Sequence, residues 1–203
     1  MTTLKVQKRD TEKKAKALRR EGFVTGTLFG RNIKETVLLQ IDKKEAERIH
    51  RECFRGSQLN LELDGKKYDV LLKEIDYDGL KREIYEMDFQ ALVKGEKVHS
   101  VAEIVLHNRD NAKDGIVEQL LSEISYKATP ENLVDKIEVD CATLKLGDVL
   151  KVSDLQIAKN KKVDIQTNLD APVVSVVAPH NAPAGDAEAA DETVTAEVSL
   201  ETK

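Results

Sequence analysis

Tryptophan is absent from this sequence, and aromatic residues of every kind make up only 4% of it. Its hydrophobic interiors must therefore be built from Val, Leu and Ile rather than from rings. No apolar run approaches the roughly 20 residues that a membrane span requires. The opening stretch Met1-Thr2-Thr3-Leu4-Lys5-Val6-Gln7-Lys8 holds no apolar h-region, so no secretory signal and a cytoplasmic location are expected. Cysteine is scarce as well. Cys53 and Cys141 lie far apart, fit no metal spacing, and are expected as two thiols rather than a disulfide. Signatures of catalysis are missing: there is no G-x-S-x-G, H-E-x-x-H, Walker loop or G-x-G-x-x-G. The histidines His50, His99, His107 and His180 are scattered. His99 and His107 would stand about 27 Å apart on an extended strand, too far to share a metal. Asp76 and Asp78 fall on one face of a strand, but no histidine or glycine-rich loop accompanies them, so they read as turn residues. Together these absences argue against an enzyme, a metal or cofactor protein, a small-molecule binder and a membrane protein.

What is present is charge, at 34% of residues, with a formal net of -5 over 203 residues. Its layout is uneven. Residues 1–34 hold ten Lys/Arg against three Asp/Glu, a net of +7, and residues 1–90 sum to +3. Residues 91–180 sum to -3 and residues 181–203 to -5. A basic start on an acidic chain can serve as an anion-binding footprint, although a solvated charged face would have the same composition.

The chain is long enough for two ordinary domains. Residues 2–8 alternate as a strand, and Thr11 to Arg20 reads as a short exposed helix or ordered loop ending at Gly22. Phe23 to Phe29 is a strand candidate broken by Gly26, and Thr36 to Ile41 is another. Asp42 caps a helix, with Glu45 placed for a capping box. Leu59, Leu61 and Leu63 alternate before Asp64-Gly65, and Tyr68 to Ile75 returns, the clearest hairpin in the sequence. Asp78-Gly79 marks a second turn before a strand from Ile84 to Phe89. Such spacing suggests a small antiparallel barrel or sandwich over residues 1–92. A second, mostly β unit is expected over 93–180. It has a long strand through Val98–Leu106, a polar stretch at 108–115, and further strands at Ile137–Asp140, Val163–Ile165 and Val173–Val177. Residues 116–128 fit a helix through Ile116, Leu120, Leu121 and Ile124, and half fit a strand through Val117, Gln119 and Leu121. Residues 181–203 are expected as a disordered acidic tail.

The most informative stretch is Lys8-Arg9, then Lys13-Lys14-Ala15-Lys16-Ala17-Leu18-Arg19-Arg20-Glu21-Gly22, then Thr27-Leu28-Phe29-Gly30-Arg31. Small residues alternate with long cations that can reach phosphates, and an aromatic that can stack on a sugar or base follows. A flat basic face can read the wide, shallow minor groove of A-form RNA by shape.

The order of motifs along the chain is more specific. Ala17-Leu18-Arg19-Arg20-Glu21-Gly22, Phe29-Gly30, Asp64-Gly65-Lys66 and Glu86-Met87-Asp88-Phe89 come first. Then follow Gly115-Ile116-Val117-Glu118-Gln119-Leu120-Leu121, Pro130-Glu131-Asn132, Ile137-Glu138-Val139-Asp140, Leu146-Gly147-Asp148, Val152-Ser153-Asp154-Leu155 and Val176-Val177-Ala178-Pro179. In that order they resemble the bacterial large-subunit ribosomal protein twenty-five family, in its long two-domain form, the general stress protein Ctc type. The resemblance covers residues 1–180. It implies an N-terminal six-stranded antiparallel barrel with short helices that binds 5S ribosomal RNA, a separate mostly β C-terminal domain, and a place in the large ribosomal subunit. Carried across, it implies RNA contacts at Arg9, Arg19, Arg20, Phe29 and Asp88. Lys14, Lys16 and Arg31 join them from the basic stretch, and Asp76 and Glu86 from family contact positions. Four positions depart from the family pattern. Phe29 stands for tyrosine, Glu86 for histidine, Asp76 for glutamine and Thr25 for proline. Glu86 would set a negative charge near phosphates. The alternative is therefore a diverged Ctc-like stress or interaction protein with weak or no 5S rRNA binding.

Overall fold

A computed structural model of the chain describes residues 2–109 and 115–178. The expected acidic tail at 181–203, and part of the polar stretch at 108–115, lie outside the described residues. The N-terminal half is a closed six-stranded barrel, as expected. Its strands are β1 (Thr3–Lys8), β2 (Phe23–Phe29), β3 (Val37–Asp42), β4 (Gln58–Leu63), β5 (Lys66–Asp78) and β6 (Glu83–Ala91). They run around the wall in the order β1-β3-β2-β6-β5-β4, and β4 returns to β1. Four seams are antiparallel; β1 with β4 and β2 with β6 pair in parallel. Closure leaves no strand edge open to another chain. The inward period-2 positions are aliphatic: Leu4, Leu28, Leu39, Ile41, Leu59 and Leu61 have no exposed surface. Truncating one of them to alanine would cost about 2–5 kcal/mol.

The expected hairpin turns at Asp64 and Gly65, whose φ of 50° and 76° give the left-handed geometry of a two-residue turn. Gly26 was expected to break β2 but sits inside it, because a Cβ there would lie 2.6 Å from the Met87 carbonyl oxygen of parallel β6. Helix α2 (Lys43–Glu52) covers one end of the barrel with Ala46 and Ile49 buried. Asp42 caps it, accepting from the Lys44 backbone N–H at 2.9 Å. The Glu45 side chain does not reach back to complete a capping box; it accepts from Arg48 at 2.6 Å instead.

Two β-bulges interrupt the β5–β6 ribbon. Leu72 pairs with Phe89 and Glu74 with Asp88, leaving Lys73 extra. Asp76 pairs with Glu86 and Tyr77 with Ile84, leaving Tyr85 extra. A bulge re-aims the unpaired side chain and steps the alternation by one residue. The buried series on β6 accordingly runs Ile84, Met87, Phe89, Ala91.

The C-terminal half is two sheets. One has the order β10-β7-β9-β12, from β7 (Val98–His107), β9 (Glu123–Ala128), β10 (Lys136–Asp140) and β12 (Asp164–Ile165). The other has the order β11-β13-β8, from β8 (Ile116–Gln119), β11 (Val149–Lys151) and β13 (Pro172–Val177). Residues 116–128 thus form two strands and no helix. The helical stripe would have buried Ile116 and Leu120 together with Ile124, yet Ile116 and Leu120 are half exposed at 51% and 54%, while Tyr126, outside that stripe, is buried with Ile124. The Tyr126 hydroxyl closes this core by donating to the Val134 carbonyl at 2.9 Å and accepting from the Val134 N–H at 2.8 Å. Both cysteines are buried, and burial pushes both thiols up, so neither is a thiolate at neutral pH.

The two halves touch through the loop before β4. Gly56 has a φ of 87°, and a Cβ there would meet the Val101 carbonyl oxygen at 1.9 Å. Around it the bulged Lys73 donates to the His99 carbonyl at 3.0 Å, and Arg55 faces Glu123 at 3.5 Å.

Candidate nucleic-acid interface

The basic stretch folds as α1 (Ala15–Arg20), a short helix seated on β2. Ala15, Ala17 and Leu18 are good helix formers, and Leu18, at 2% exposure, is the one buried anchor. With Leu18 turned inward, Lys16 and Arg20 stay exposed and Arg19 is half-buried. The Arg19 Nε donates to the Ala15 carbonyl at 3.3 Å, and its guanidinium carbon lies 4.8 Å from the centre of the Tyr85 ring. Tyr85 is there because of the bulge. The Thr25 hydroxyl, 3% exposed, donates to the bulged Tyr85 carbonyl at 3.0 Å and holds it.

Tyr85 is also the hub of the turn joining β5 to β6. Its hydroxyl donates to Asp78 Oδ2 at 2.8 Å and accepts from Lys81 Nζ at 2.8 Å. The Lys81 backbone N–H, then the Tyr85 hydroxyl, hold the Asp78 carboxyl below the ordinary carboxylate range. The resulting cleft, about 620 Å³, is lined by Lys16, Arg19, Arg20, Lys43 and Lys81, with Gly22, Glu83 and Tyr85. Its one carboxylate, Glu83, is paired with Lys43 at 2.8 Å. The cleft is strongly cationic and suits a phosphate chain.

Beyond the bulge, β2, β6 and β5 present a second arrangement. Asp76 stands directly opposite Glu86, and Glu74 opposite Asp88. Asp88 accepts from the Thr27 hydroxyl on β2 at 2.5 Å. Asp76 and Glu86 are exposed, and like charges directly opposite repel. These carboxylates are acceptors only, suited to hydroxyl or amine donors.

The other expected residues lie further out. Phe29 is half-buried at the far end of β2, in register with Gln90. Arg31 follows it and pairs with Glu96 at 2.9 Å. Arg9 is half-buried, with one guanidinium nitrogen 3.4 Å from the Lys13 carbonyl. Lys14 is exposed at the start of α1. The structure thus gathers Lys16, Arg19 and Arg20 into one cleft and Asp76, Glu86 and Asp88 onto one ribbon, with Phe29 and Arg31 at the other end of β2. Sequence reasoning missed Lys43, Lys81 and Tyr85. The signal was the break in alternation between Ile84 and Met87, which marks a bulge at the residues between.

Among the described residues, no group of three His, Cys, Asp or Glu side chains could hold a metal ion, and no helix is long and apolar enough to cross a membrane. The fold is a closed barrel that carries a cationic cleft beside a ladder of carboxylates, followed by a two-sheet β unit. Residues 4–89 match the Ribosomal L25p family and residues 97–180 match the Ribosomal protein TL5, C-terminal domain. The chain is 35% identical over 182 residues to the large ribosomal subunit protein bL25 of Listeria monocytogenes serotype 4b (strain F2365), covering 88% of this chain and 86% of that protein. It is 31% identical over 175 residues to the bL25 protein of Thermoanaerobacter sp. (strain X514), covering 85% and 86%. With that of Methylobacillus flagellatus (strain ATCC 51484 / DSM 6875 / VKM B-1610 / KT) it shares 32% over 196 residues, covering 92% and 94%. The chain belongs to the bL25 ribosomal-protein family in its long form, and like that family it is structural and not enzymatic.

Proposed function

We propose that this protein is a cytoplasmic, ribosome-associated component of the large ribosomal subunit that binds 5S rRNA through residues 1–92. The observation that carries the reading is the cleft in which Lys16, Arg19, Arg20, Lys43 and Lys81 converge around Tyr85. Arg19, Arg20, Lys14 and Lys16 meet phosphates, and Arg9 and Arg31 extend the cationic reach on either side. Asp88 accepts from a 2′-hydroxyl or a base amine, since its carboxylate is already oriented by Thr27. Phe29 offers a ring face for a ribose or base. Residues 93–180, with a net charge of -3, have no part in this contact. A gel shift with 5S rRNA against an unrelated duplex RNA of equal length tests the reading, and equal affinity for the two would defeat it.

One observation favours a second reading. The exposed pair Asp76 and Glu86 sets two negative charges side by side on the ribbon that would face the RNA. On that reading the chain is a Ctc-like stress or interaction protein with weak or no 5S rRNA binding, and the same gel shift separates the two.

A further inference from the structure

The turn between β5 and β6 is ordered by its own side chains. Asp78 Oδ1 accepts from the Leu80 N–H at 2.9 Å and the Lys81 N–H at 3.1 Å, while Oδ2 takes the Tyr85 hydroxyl. Arg82 adopts a φ of 54°, left-handed geometry that a non-glycine residue rarely takes. At the base of the turn Tyr77 stacks on His50 of α2, ring centres 4.9 Å apart. All this order holds out an apolar side chain: Leu80 is 98% exposed. Lys81 and Arg82, both exposed, follow it in the chain, with the Lys81 ammonium held at the Tyr85 hydroxyl and Asp78. The two carboxylates of the turn are occupied internally, Asp78 by the hydrogen bonds just described and Glu83 by Lys43. The tip therefore presents an apolar group beside the exposed Arg82, next to the cleft that Lys81 shares with Arg19.

We infer that this turn, residues 78–83, is a second RNA-contacting arm, with Leu80 lying against riboses in the minor groove and Arg82 on a neighbouring phosphate. The inference rests on the RNA-binding reading above. An apolar tip beside an exposed arginine and a cationic cleft fits RNA better than a protein surface. A wide, shallow minor groove offers sugar edges bounded by phosphate rows, and an apolar tip with cations beside it complements both. Preorganisation by Asp78 and Tyr85 removes the ordering entropy that a free turn would lose on binding.

The experiment uses the full chain and 5S rRNA, with Leu80→Ser, Arg82→Ala and Asp78→Ala compared by affinity across a salt series. Leu80→Ser should weaken binding roughly tenfold with an unchanged salt slope, because an apolar contact releases no counterions. Arg82→Ala should lower that slope by about one unit. Asp78→Ala should weaken binding through a loosened tip, read independently as faster hydrogen exchange at the Leu80 and Lys81 amides, and Asp78→Asn, which keeps an acceptor, should restore much of it. If wild-type protein binds 5S rRNA and both Leu80→Ser and Arg82→Ala match it in affinity and slope, the arm is overturned while the RNA-binding reading stands. If wild-type protein binds 5S rRNA no better than the control duplex, the reading fails and the arm falls with it.

Discussion

The two halves of this protein manage strand edges in opposite ways. The barrel closes β1 onto β4, so every strand has two neighbours. The C-terminal sheets leave β10, β12, β11 and β8 as edges, and these are short: five, two, three and four residues. Short edges are one way to avoid pairing with other chains; closure is the other. The charges divide likewise, with +3 over residues 1–90 and -3 over residues 91–180. A closed wall needs no outward side chain to protect it, so its outer face is available for cations, rings and acceptors. In the C-terminal half the notable polar group works inward: Tyr126 serves both backbone groups of Val134. The difference teaches where recognition is to be sought, on the closed half.

The sharpest test of this contrast is to separate the halves. Residues 1–92 alone should bind 5S rRNA with the affinity of the whole chain, and residues 93–180 should not bind it. Tight binding by the isolated C-terminal half would break the comparison outright. Next in size is the cleft itself. Arg19→Ala with Arg20→Ala should remove about two units from the slope of log affinity against log salt. An unchanged slope would mean that neither side chain meets a phosphate.

A smaller effect should appear on stability alone. Tyr126→Phe leaves the Val134 N–H and carbonyl without their partner, at a cost of about 1–3 kcal/mol. Calorimetry should show a lower Tm with 5S rRNA affinity unchanged. A loss of affinity in this variant would show that the C-terminal core shapes the RNA site, against the division drawn here.

Most strands were legible in the sequence because aliphatic residues alternate with polar ones, as Leu59, Leu61 and Leu63 do on β4. The cleft was half legible. Arg19 and Arg20 announce themselves by local composition, but Lys43, Lys81 and Tyr85 reach them only through β-strand registry and a bulge. Both bulges had left a trace, since the inward series jumps from Ile84 to Met87 on β6 and from Leu72 to Ile75 on β5. A helix and two strands could not be told apart over 116–128 by periodicity, because Ile116 and Leu120 fit the helical stripe yet end half exposed. The pairing of Asp76 with Glu86 was invisible for a different reason. Two carboxylates ten residues apart become neighbours only when the turn and its bulge set the registry.

That pairing sets the finest test of the contrast between the halves. Glu86→His removes a charge directly opposite Asp76, so the β5–β6 ribbon should lose a like-charge repulsion and gain a ring nitrogen able to donate to a 2′-hydroxyl or phosphate oxygen. Affinity for 5S rRNA should rise. Phe29→Tyr should act in the same direction by roughly one hydrogen bond, or about 1 kcal/mol. Neither change should alter the fold, since Glu86 is exposed and Phe29 only half-buried. The two sites sit on different parts of the barrel face, near the turn and at the far end of β2, so their effects should add. Titrations of the single and double variants at one salt concentration read this directly. If neither variant shifts affinity while the Arg19, Arg20 double variant abolishes it, the RNA rests on α1 and the cleft alone, and the carboxylate ribbon stands outside the interface.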